Sequence, residues 1–263
     1  MFSEPARSPY DWQFVLAGFR VRVTWLFWVV SAAWGYDWAR GLDREYQLLD
    51  LASPGPFSLL LVWVGVSFLS ILIHELGHAL AMRWYGQASY IVLYHFGGIA
   101  IPDWMAGRRG RRGDRWEKVV ISAAGPLLQL AFGLLVAGVA GGMGFSIGQA
   151  GYLLRWAIPL PDGALPNNAL TMGLIEASVL TSVFWALLNL VPVLPMDGGH
   201  IAQQLIGYFQ QSDGYRETVV FSLAVGTVIA IWGYSQQLPT IGLFFMVLAI
   251  LNFQSLQDPF GTR

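Results

Sequence analysis

The chain has no cysteine among its 263 residues, and only 12% of its residues are charged. The absence of cysteine excludes disulfides, thiolate zinc sites and cysteine nucleophiles, so any metal must be held by histidine and carboxylate side chains. Soluble domains contain about 25% charged residues, whereas 55% of this chain is hydrophobic. This balance predicts a polytopic membrane protein that is surrounded by the lipid bilayer.

The sequence also lacks a large charge of either sign. The formal net charge is −1, and one short basic cluster, Arg108 to Arg115, lies between apolar segments. Nucleic-acid binding depends on extended positive surfaces. We therefore expect no nucleic-acid partner.

Apolar runs predict an all-α polytopic membrane protein with about six transmembrane helices and a short β-hairpin or strand segment, residues 88–101, after the second helix. The first span is the least secure, because its 16 residues cover only about 24 Å of a hydrocarbon core about 30 Å thick. A signal peptide is the alternative interpretation of that run. The predicted spans are residues 23–38, 57–84, 119–142, 170–194, 218–234 and 238–251.

The chain is expected to form one transmembrane domain, residues 23–257, with a core at residues 57–200. An interfacial N-terminal arm, residues 1–22, precedes it, and a tail, residues 258–263, follows. With six spans and both termini inside, twelve Lys and Arg side chains lie on the inner side and three on the outer side. Because these residues concentrate on the cytoplasmic side, we expect a multi-pass protein of the cell (inner) membrane with cytoplasmic termini.

The sequence His74-Glu75-Leu76-Gly77-His78 lies near the inner end of the second predicted span. In a helix, His74 and His78 share one face, and Glu75 lies about 100° round, within reach of a water on a shared metal. A carboxylate inside a span costs about 2.5 to 3.5 kcal/mol, which favours a functional role. The alternative is a structural histidine pair whose nitrogens bond to loop carbonyls.

A catalytic zinc needs a third protein ligand and an open position. The candidates are Glu176, Asp197, His95 and His200. Asp197 follows the inner end of the fourth span, whereas Glu176 lies 21 residues earlier, roughly 30 Å away along a helix. Depth therefore favours Asp197. His200 could orient Asp197 or be an ordinary loop histidine.

Two further polar residues have alternative interpretations. Asn189, eight residues before Asp197, could hydrogen-bond a substrate carbonyl or a developing oxyanion, or could link helices. His95 lies on the expected strand segment and could bind substrate or be an interfacial histidine.

His74-Glu75-x-x-His78 followed by Asn189-x-x-Pro192-x-x-Pro195-Met196-Asp197-Gly198 resembles the paired motifs of the site-2 proteases, which are intramembrane zinc metalloproteases. Gly97-Gly98 and Ala124-Gly125-Pro126 are also similar to that family's pattern, so the resemblance covers about residues 60–200. It implies one zinc ion held by His74, His78 and Asp197, with Glu75 as the catalytic residue and Asn189 beside the metal. Gln129 stands near a place where relatives often have Asn. The expected form is compact, without a PDZ or CBS domain.

These features predict an intramembrane zinc metalloendopeptidase that cleaves transmembrane segments of membrane proteins, as in regulated intramembrane proteolysis. Glu75 would activate a zinc-bound water, and Gly97, Gly98 and His95 would bind an unwound substrate at a strand edge. A regulatory membrane protein is a further expected partner. The alternatives are a CAAX-processing or heat-shock-type membrane metalloprotease with Glu176 as third ligand, and, from another class, a zinc transporter.

Overall fold

The computed structural model describes residues 4–95, 97–103, 114–149, 151 and 163–257. By their contacts, these residues divide into two compact units. One unit contains the described residues up to 103 and residues 127–186, and the other contains residues 114–126 and 187–257. The predicted tail and most of the basic cluster lie outside the described residues. The predicted domain limits remain predictions.

The first unit contains a four-stranded sheet in the order β1 (Trp12–Leu16), β2 (Phe19–Val23), β3 (Ser89–Tyr94) and β4 (Gly97–Pro102). β1 and β2 form a hairpin because Ala17 and Gly18 both adopt positive φ angles, 51° and 82°, as a two-residue turn with the twist of the strands requires. β2 pairs with β3 in parallel, and β3 pairs with β4 antiparallel.

The sheet confirms the strand segment predicted after the second span and adds two strands that were not predicted. β1 and β2 fall in the region assigned to an interfacial arm. In β2 the alternate residues Phe19, Val21 and Val23 are buried, which is the two-residue period of a strand packed on one face. Whether this region also contacts the membrane surface remains a prediction.

Helix α1 (Trp25–Leu48) follows the hairpin, and α2 (Pro56–Trp84) packs against it. α1 continues through residues 39–48, beyond the predicted end of the first span at residue 38. Its buried residues Ala39, Leu42 and Tyr46 recur at helical spacing, so they form an apolar face despite the charged residues around them. They pack with Leu59 of α2 and with Met172.

Five helices of the described chain are long and apolar enough to cross a membrane. The first predicted span, which falls on the end of β2 and the start of α1, is not one of them, so the six-span prediction is not confirmed. α1 falls short because tryptophans and charged residues such as Asp37 and Arg40 interrupt its apolar run. The five are α2, α3 (Arg115–Gly142), α4 (Ala169–Asn189), α6 (Tyr215–Ser235) and α7 (Pro239–Gln257).

α4 contains a π-helical stretch at Leu180–Phe184 and ends at Asn189, five residues before the predicted end of the span. Its first turn is capped by Asn168, whose side chain accepts a hydrogen bond from the Leu170 nitrogen at 2.7 Å. Single π-helical turns inside α-helices occur frequently at functional sites.

In the second unit, α5 (Asp197–Gln210), which is not among the five, leads to the α6–α7 hairpin. Val193 and Met196 of the preceding loop pack with Ala230 of α6 and with Phe245 and Leu248 of α7. This apolar cluster holds the loop that begins at Leu190 against the hairpin.

Candidate metal centre

α2 presents His74, Glu75 and His78, and the three residues are only 5%, 4% and 7% exposed. Their spacing puts the two histidines on one face, and their Nε2 atoms lie 3.0 Å apart. Two nitrogens bound to one tetrahedral zinc at about 2.0 to 2.1 Å would be about 3.3 Å apart. The pair is therefore arranged to share one ion through Nε2.

His74 also contacts a neighbouring helix through its other ring nitrogen. Its Nδ1 atom lies 2.8 Å from Oε1 of Gln129 in α3. An amide oxygen can only accept a hydrogen bond, so Nδ1 carries the proton and the Nε2 lone pair is available to a metal. The nitrogen of His74 that could bind a metal is thus defined by the residue that contacts the opposite side of the ring.

Glu75 packs against the first residues of β4. A Cβ atom built on Gly98 would lie 2.6 Å from Oε1 of Glu75 and 2.7 Å from its Cδ. Real Cβ atoms do not approach other atoms this closely, so the Glu75 carboxyl requires glycine at this position. Gly97 has a φ angle of +126°, a backbone conformation that also favours glycine. Glycine at position 97 therefore suits the backbone conformation of the strand, and glycine at position 98 leaves room for the Glu75 carboxyl group.

The Glu75 carboxylate also affects the pKa of Tyr94, at the end of β3. Burial raises the pKa of the Tyr94 hydroxyl, and the negative charge of Glu75 raises that pKa further. The phenol is therefore neutral at physiological pH and cannot supply a second negative charge beside Glu75.

Asp197 is the first residue of α5, where the helix dipole favours a negative charge. The helix start lies tightly on the loop before it. A Cβ atom on Gly198 would approach the Val191 oxygen to 2.5 Å, and one on Gly199 would approach the Leu194 nitrogen to 2.5 Å. The glycines after Asp197 thus let α5 begin directly against this loop.

His74, His78 and Asp197 form a group that could hold a metal ion, with one ligand atom from each residue and all of these atoms within 4.8 Å of one another. Within the described ranges, no other group of three or more His, Asp or Glu side chains meets this condition. Two imidazole nitrogens and one carboxylate oxygen are a donor set that zinc takes in catalytic sites, where a fourth position stays open for water or substrate. The residues present therefore fit zinc.

Glu176 does not belong to this group. It is 3% exposed and accepts a hydrogen bond from the Trp38 Nε1 atom at 3.1 Å. The carboxylate that the CAAX-type alternative requires as a ligand is thus hydrogen-bonded to a tryptophan of α1.

The remaining predicted residues lie in turns and at helix ends. Asn189 is the last residue of α4, and His200 is an exposed residue in the first turn of α5. His95 lies in the turn after β3, with its ring 5.5 Å from the Tyr94 ring between centroids. The roles proposed for Asn189, His95 and His200 remain predictions.

The sequence reasoning missed Ser70 of α2 and the role of Gln129. Both are fully buried, and the Gln129 Nε2 atom donates to the Ser70 Oγ atom at 2.9 Å. A signal was available, since each is a polar residue on an apolar span at a depth where an apolar residue would be less costly.

The chain is similar to a family of peptidases and to individual proteins. Residues 62–151 and 157–233 match the model of peptidase family M50. A Synechocystis protein, sll0528, whose name assigns it provisionally to the zinc metalloproteases, is 26% identical over 215 residues, which are 79% of this chain and 46% of the relative. The zinc metalloprotease MJ0392 of Methanocaldococcus jannaschii is 27% identical over 165 residues, 62% of this chain and 39% of the relative.

This chain therefore spans less than half the length of these curated relatives. Among solved structures, the site-2 protease from Methanocaldococcus jannaschii superimposes with a TM-score of 0.48 at 19% identity, over 94% of this chain and 95% of that one.

Proposed function

Because this chain belongs to peptidase family M50, which its resemblance to the site-2 proteases predicted, we propose that it is a zinc metalloendopeptidase that cleaves peptide bonds within or beside transmembrane segments of membrane proteins. The proposal rests on one observation above all, the group formed by His74, His78 and Asp197 next to the buried carboxylate of Glu75. The zinc metalloprotease names of the relatives support the metal, and five apolar helices support the membrane setting.

Zinc bound by His74, His78 and Asp197 would supply Lewis acidity, which polarises a carbonyl and lowers the pKa of water. Glu75 would accept a proton from the attacking water at its carboxylate and pass that proton to the leaving amine. Because Gly98 lies close to the Glu75 side chain, it would limit the positions that the carboxyl group can take before substrate binds. Asn189 would donate a hydrogen bond to the oxygen that becomes negative during attack.

The substrate must be extended when it is cut, since a helix shields its own peptide bonds. β4 lies at the edge of the sheet, and β3 is its only partner among the described strands. An unwound segment could therefore add to β4 as a further strand, with His95 at the adjacent turn. We propose that Gly97, Gly98 and His95 bind the substrate there, and that a second membrane protein regulates access.

The competing functions make different demands on the chain. A CAAX-processing enzyme would need Glu176 as a ligand, yet that residue accepts a hydrogen bond from Trp38. A transporter would be served by several sites along the bilayer, whereas the described residues contain the one group. Neither alternative is favoured by a specific contact.

The test is metal analysis of the purified protein together with a cleavage screen of single-span membrane proteins. Glu75→Gln should retain zinc and lose cleavage, because the base is removed while the ligands remain. Asp197→Ala should lose both, and Glu176→Gln, the matched carboxylate control, should retain its zinc. An active Glu75→Gln protein, or zinc lost from Glu176→Gln but retained by Asp197→Ala, would overturn the proposal.

A further inference from the structure

Three buried polar side chains lie on the Nδ1 side of His74. Gln129 of α3, Ser70 of α2 and Ser182 of α4 are each 0% exposed. The Gln129 Nε2 atom donates to the Ser70 Oγ atom at 2.9 Å and to the Thr181 carbonyl oxygen at 3.2 Å, and the Ser70 and Ser182 hydroxyls lie 2.9 Å apart. Such a connected network is rare in an apolar core unless each member is satisfied.

The Thr181 carbonyl fixes the orientation of the network. A carbonyl oxygen can only accept, so the amide group that faces it must be the NH₂ end of Gln129. The amide oxygen then faces His74 at 2.8 Å. That oxygen can in turn only accept, so His74 must be protonated at Nδ1. One backbone carbonyl thus determines the amide orientation, the imidazole tautomer and the nitrogen left for metal.

The π-helical stretch of α4 supplies this carbonyl. Thr181 lies within Leu180–Phe184, and its carbonyl oxygen is near donors from two other helices, Gln129 at 3.2 Å and the Ser70 hydroxyl at 3.1 Å. A local change of helical period alters which carbonyls are available to side chains. The irregularity in α4 therefore has a structural consequence at His74.

We propose that Gln129 is a positioning residue for zinc binding, acting through His74. It holds the ring with Nδ1 protonated and directs the Nε2 lone pair toward the ion shared with His78, while Ser70 and Thr181 hold Gln129. Partners of this kind typically change metal affinity by about 10-fold to 100-fold when they are removed. This inference rests on the metal centre proposed above and assigns a role to a residue outside it.

Zinc affinity of the full-length purified protein, measured by competition with a fluorescent chelator, tests the proposal. Gln129→Met keeps the length of the side chain but has no oxygen to accept the Nδ1 proton, so zinc should bind about 10-fold to 100-fold more weakly. Gln129→Glu should bind within a few fold of the natural protein. In its neutral form, glutamic acid has one O–H donor for Thr181 and one oxygen acceptor for His74, which reproduces the bonds of the amide to Thr181 and His74 but not its bond to Ser70.

Ser67→Ala is the matched control, because Ser67 is a buried hydroxyl one turn before Ser70 on the same helix. It should leave zinc affinity unchanged, while Ser70→Ala should weaken it several-fold. Should Gln129→Met not fold, an unchanged affinity in Ser70→Ala overturns the proposal.

His74→Ala separates this inference from the proposed function. Zinc lost from His74→Ala but bound normally by Gln129→Met would refute the role of Gln129 and leave the metal centre intact. Zinc bound normally by His74→Ala would instead refute the metal centre itself.

The tautomer of His74 is a measurement that should not change if Gln129 only supported the fold. In the zinc-stripped full-length protein, nitrogen chemical shifts of labelled histidine should show His74 protonated at Nδ1. That signature should persist in Gln129→Glu and disappear in Gln129→Met. Its persistence in Gln129→Met would contradict the proposal even if zinc affinity fell.

Discussion

At the scale of single residues, the contact between Gly98 and Glu75 joins two features that are far apart in the chain. Gly98 is the second residue of an edge strand, and Glu75 is the proposed base on a helix. Because a Cβ atom on Gly98 would fall 2.6 Å from the Glu75 Oε1 atom, the carboxylate and the strand must lie in contact. The residue proposed to bind substrate therefore also positions the base.

Gly98→Ala should consequently reduce catalysis without removing zinc. The added methyl group must displace the Glu75 carboxyl, and misplacing a catalytic group by about 1 Å can cost about 100-fold in rate. Cleavage rate and zinc content of the same preparation measure the two effects. Gly65→Ala on α2 is the control, because a Cβ atom at Gly65 has no neighbour within 4 Å. Equal cleavage rates for the two variants would show that the contact has no catalytic role.

At the scale of elements, helices α6 and α7 hold the loop that precedes Asp197. The Ser222 Oγ atom of α6 accepts a hydrogen bond from the Leu194 nitrogen at 2.9 Å, and the Asn252 Nδ2 atom of α7 donates to the Leu194 oxygen at 2.7 Å. The backbone nitrogen and the backbone oxygen of Leu194 are thus both hydrogen-bonded to side chains of the last two helices. α6 and α7 therefore position the segment next to Asp197, the proposed metal ligand, and are also long and apolar enough to cross a membrane.

Asn252→Leu should therefore lower zinc affinity several-fold and destabilise the fold. It leaves the buried Leu194 oxygen without its donor, which costs about 1 to 3 kcal/mol. Thermal unfolding and chelator competition measure the two effects. Thr227→Val is the matched control, because the exposed Thr227 hydroxyl bonds only to its own helix, at Leu223. An Asn252→Leu protein with normal zinc affinity would show that metal binding by Asp197 does not depend on the hydrogen bond between Asn252 and Leu194.

Tyr46 joins α1 to the segment before α4, since its hydroxyl donates to the Pro166 oxygen at 2.9 Å. The whole Tyr46 side chain is buried, at 0% exposure.

Tyr46→Phe should therefore lower the free energy of unfolding by about 0.5 to 1.5 kcal/mol at neutral pH, because it removes this hydrogen bond. Denaturant unfolding at neutral pH measures the difference. Tyr10→Phe, at an exposed tyrosine, is the control and should match the natural protein. Equal stability of Tyr46→Phe and the natural protein would show that the bond to Pro166 does not stabilise the fold.

The sequence predicted elements whose signal is local and missed those that depend on distant partners. Apolar runs located α2 and α3, and the spacing of His74 and His78 predicted their shared face. β2 was missed because its pairing with β3 joins residues about 70 positions apart in the chain, even though Phe19, Val21 and Val23 alternate. Gln129 was visible as a polar residue in an apolar helix. Its contact with His74, however, depends on how three helices pack.

At the scale of the whole molecule, the pairing of the sheet strands leads to an expectation about the number of membrane crossings, in addition to hydropathy. β2 pairs with β3, which directly follows the end of α2, so α1 starts on the side of the membrane where α2 ends. A connection of a few residues then joins the end of α1 to the start of α2. α1 is therefore antiparallel to α2, and its 24 residues extend about 36 Å. We expect α1 to cross as a sixth span although its composition is less apolar.

Because the chain contains no cysteine, single cysteines can report this topology without background. Cysteines replacing Tyr10 and Leu49, both exposed residues on either side of α1, should lie on opposite sides of the membrane. An impermeant maleimide should label Leu49→Cys in intact cells and Tyr10→Cys only after permeabilisation, because Lys and Arg favour the cytoplasmic side for the end of α2. Gln236→Cys between α6 and α7 should behave like Leu49→Cys. Labelling of Tyr10→Cys and Leu49→Cys from the same side would mean that α1 does not cross, and a reversed pattern would place the metal centre near the outer face.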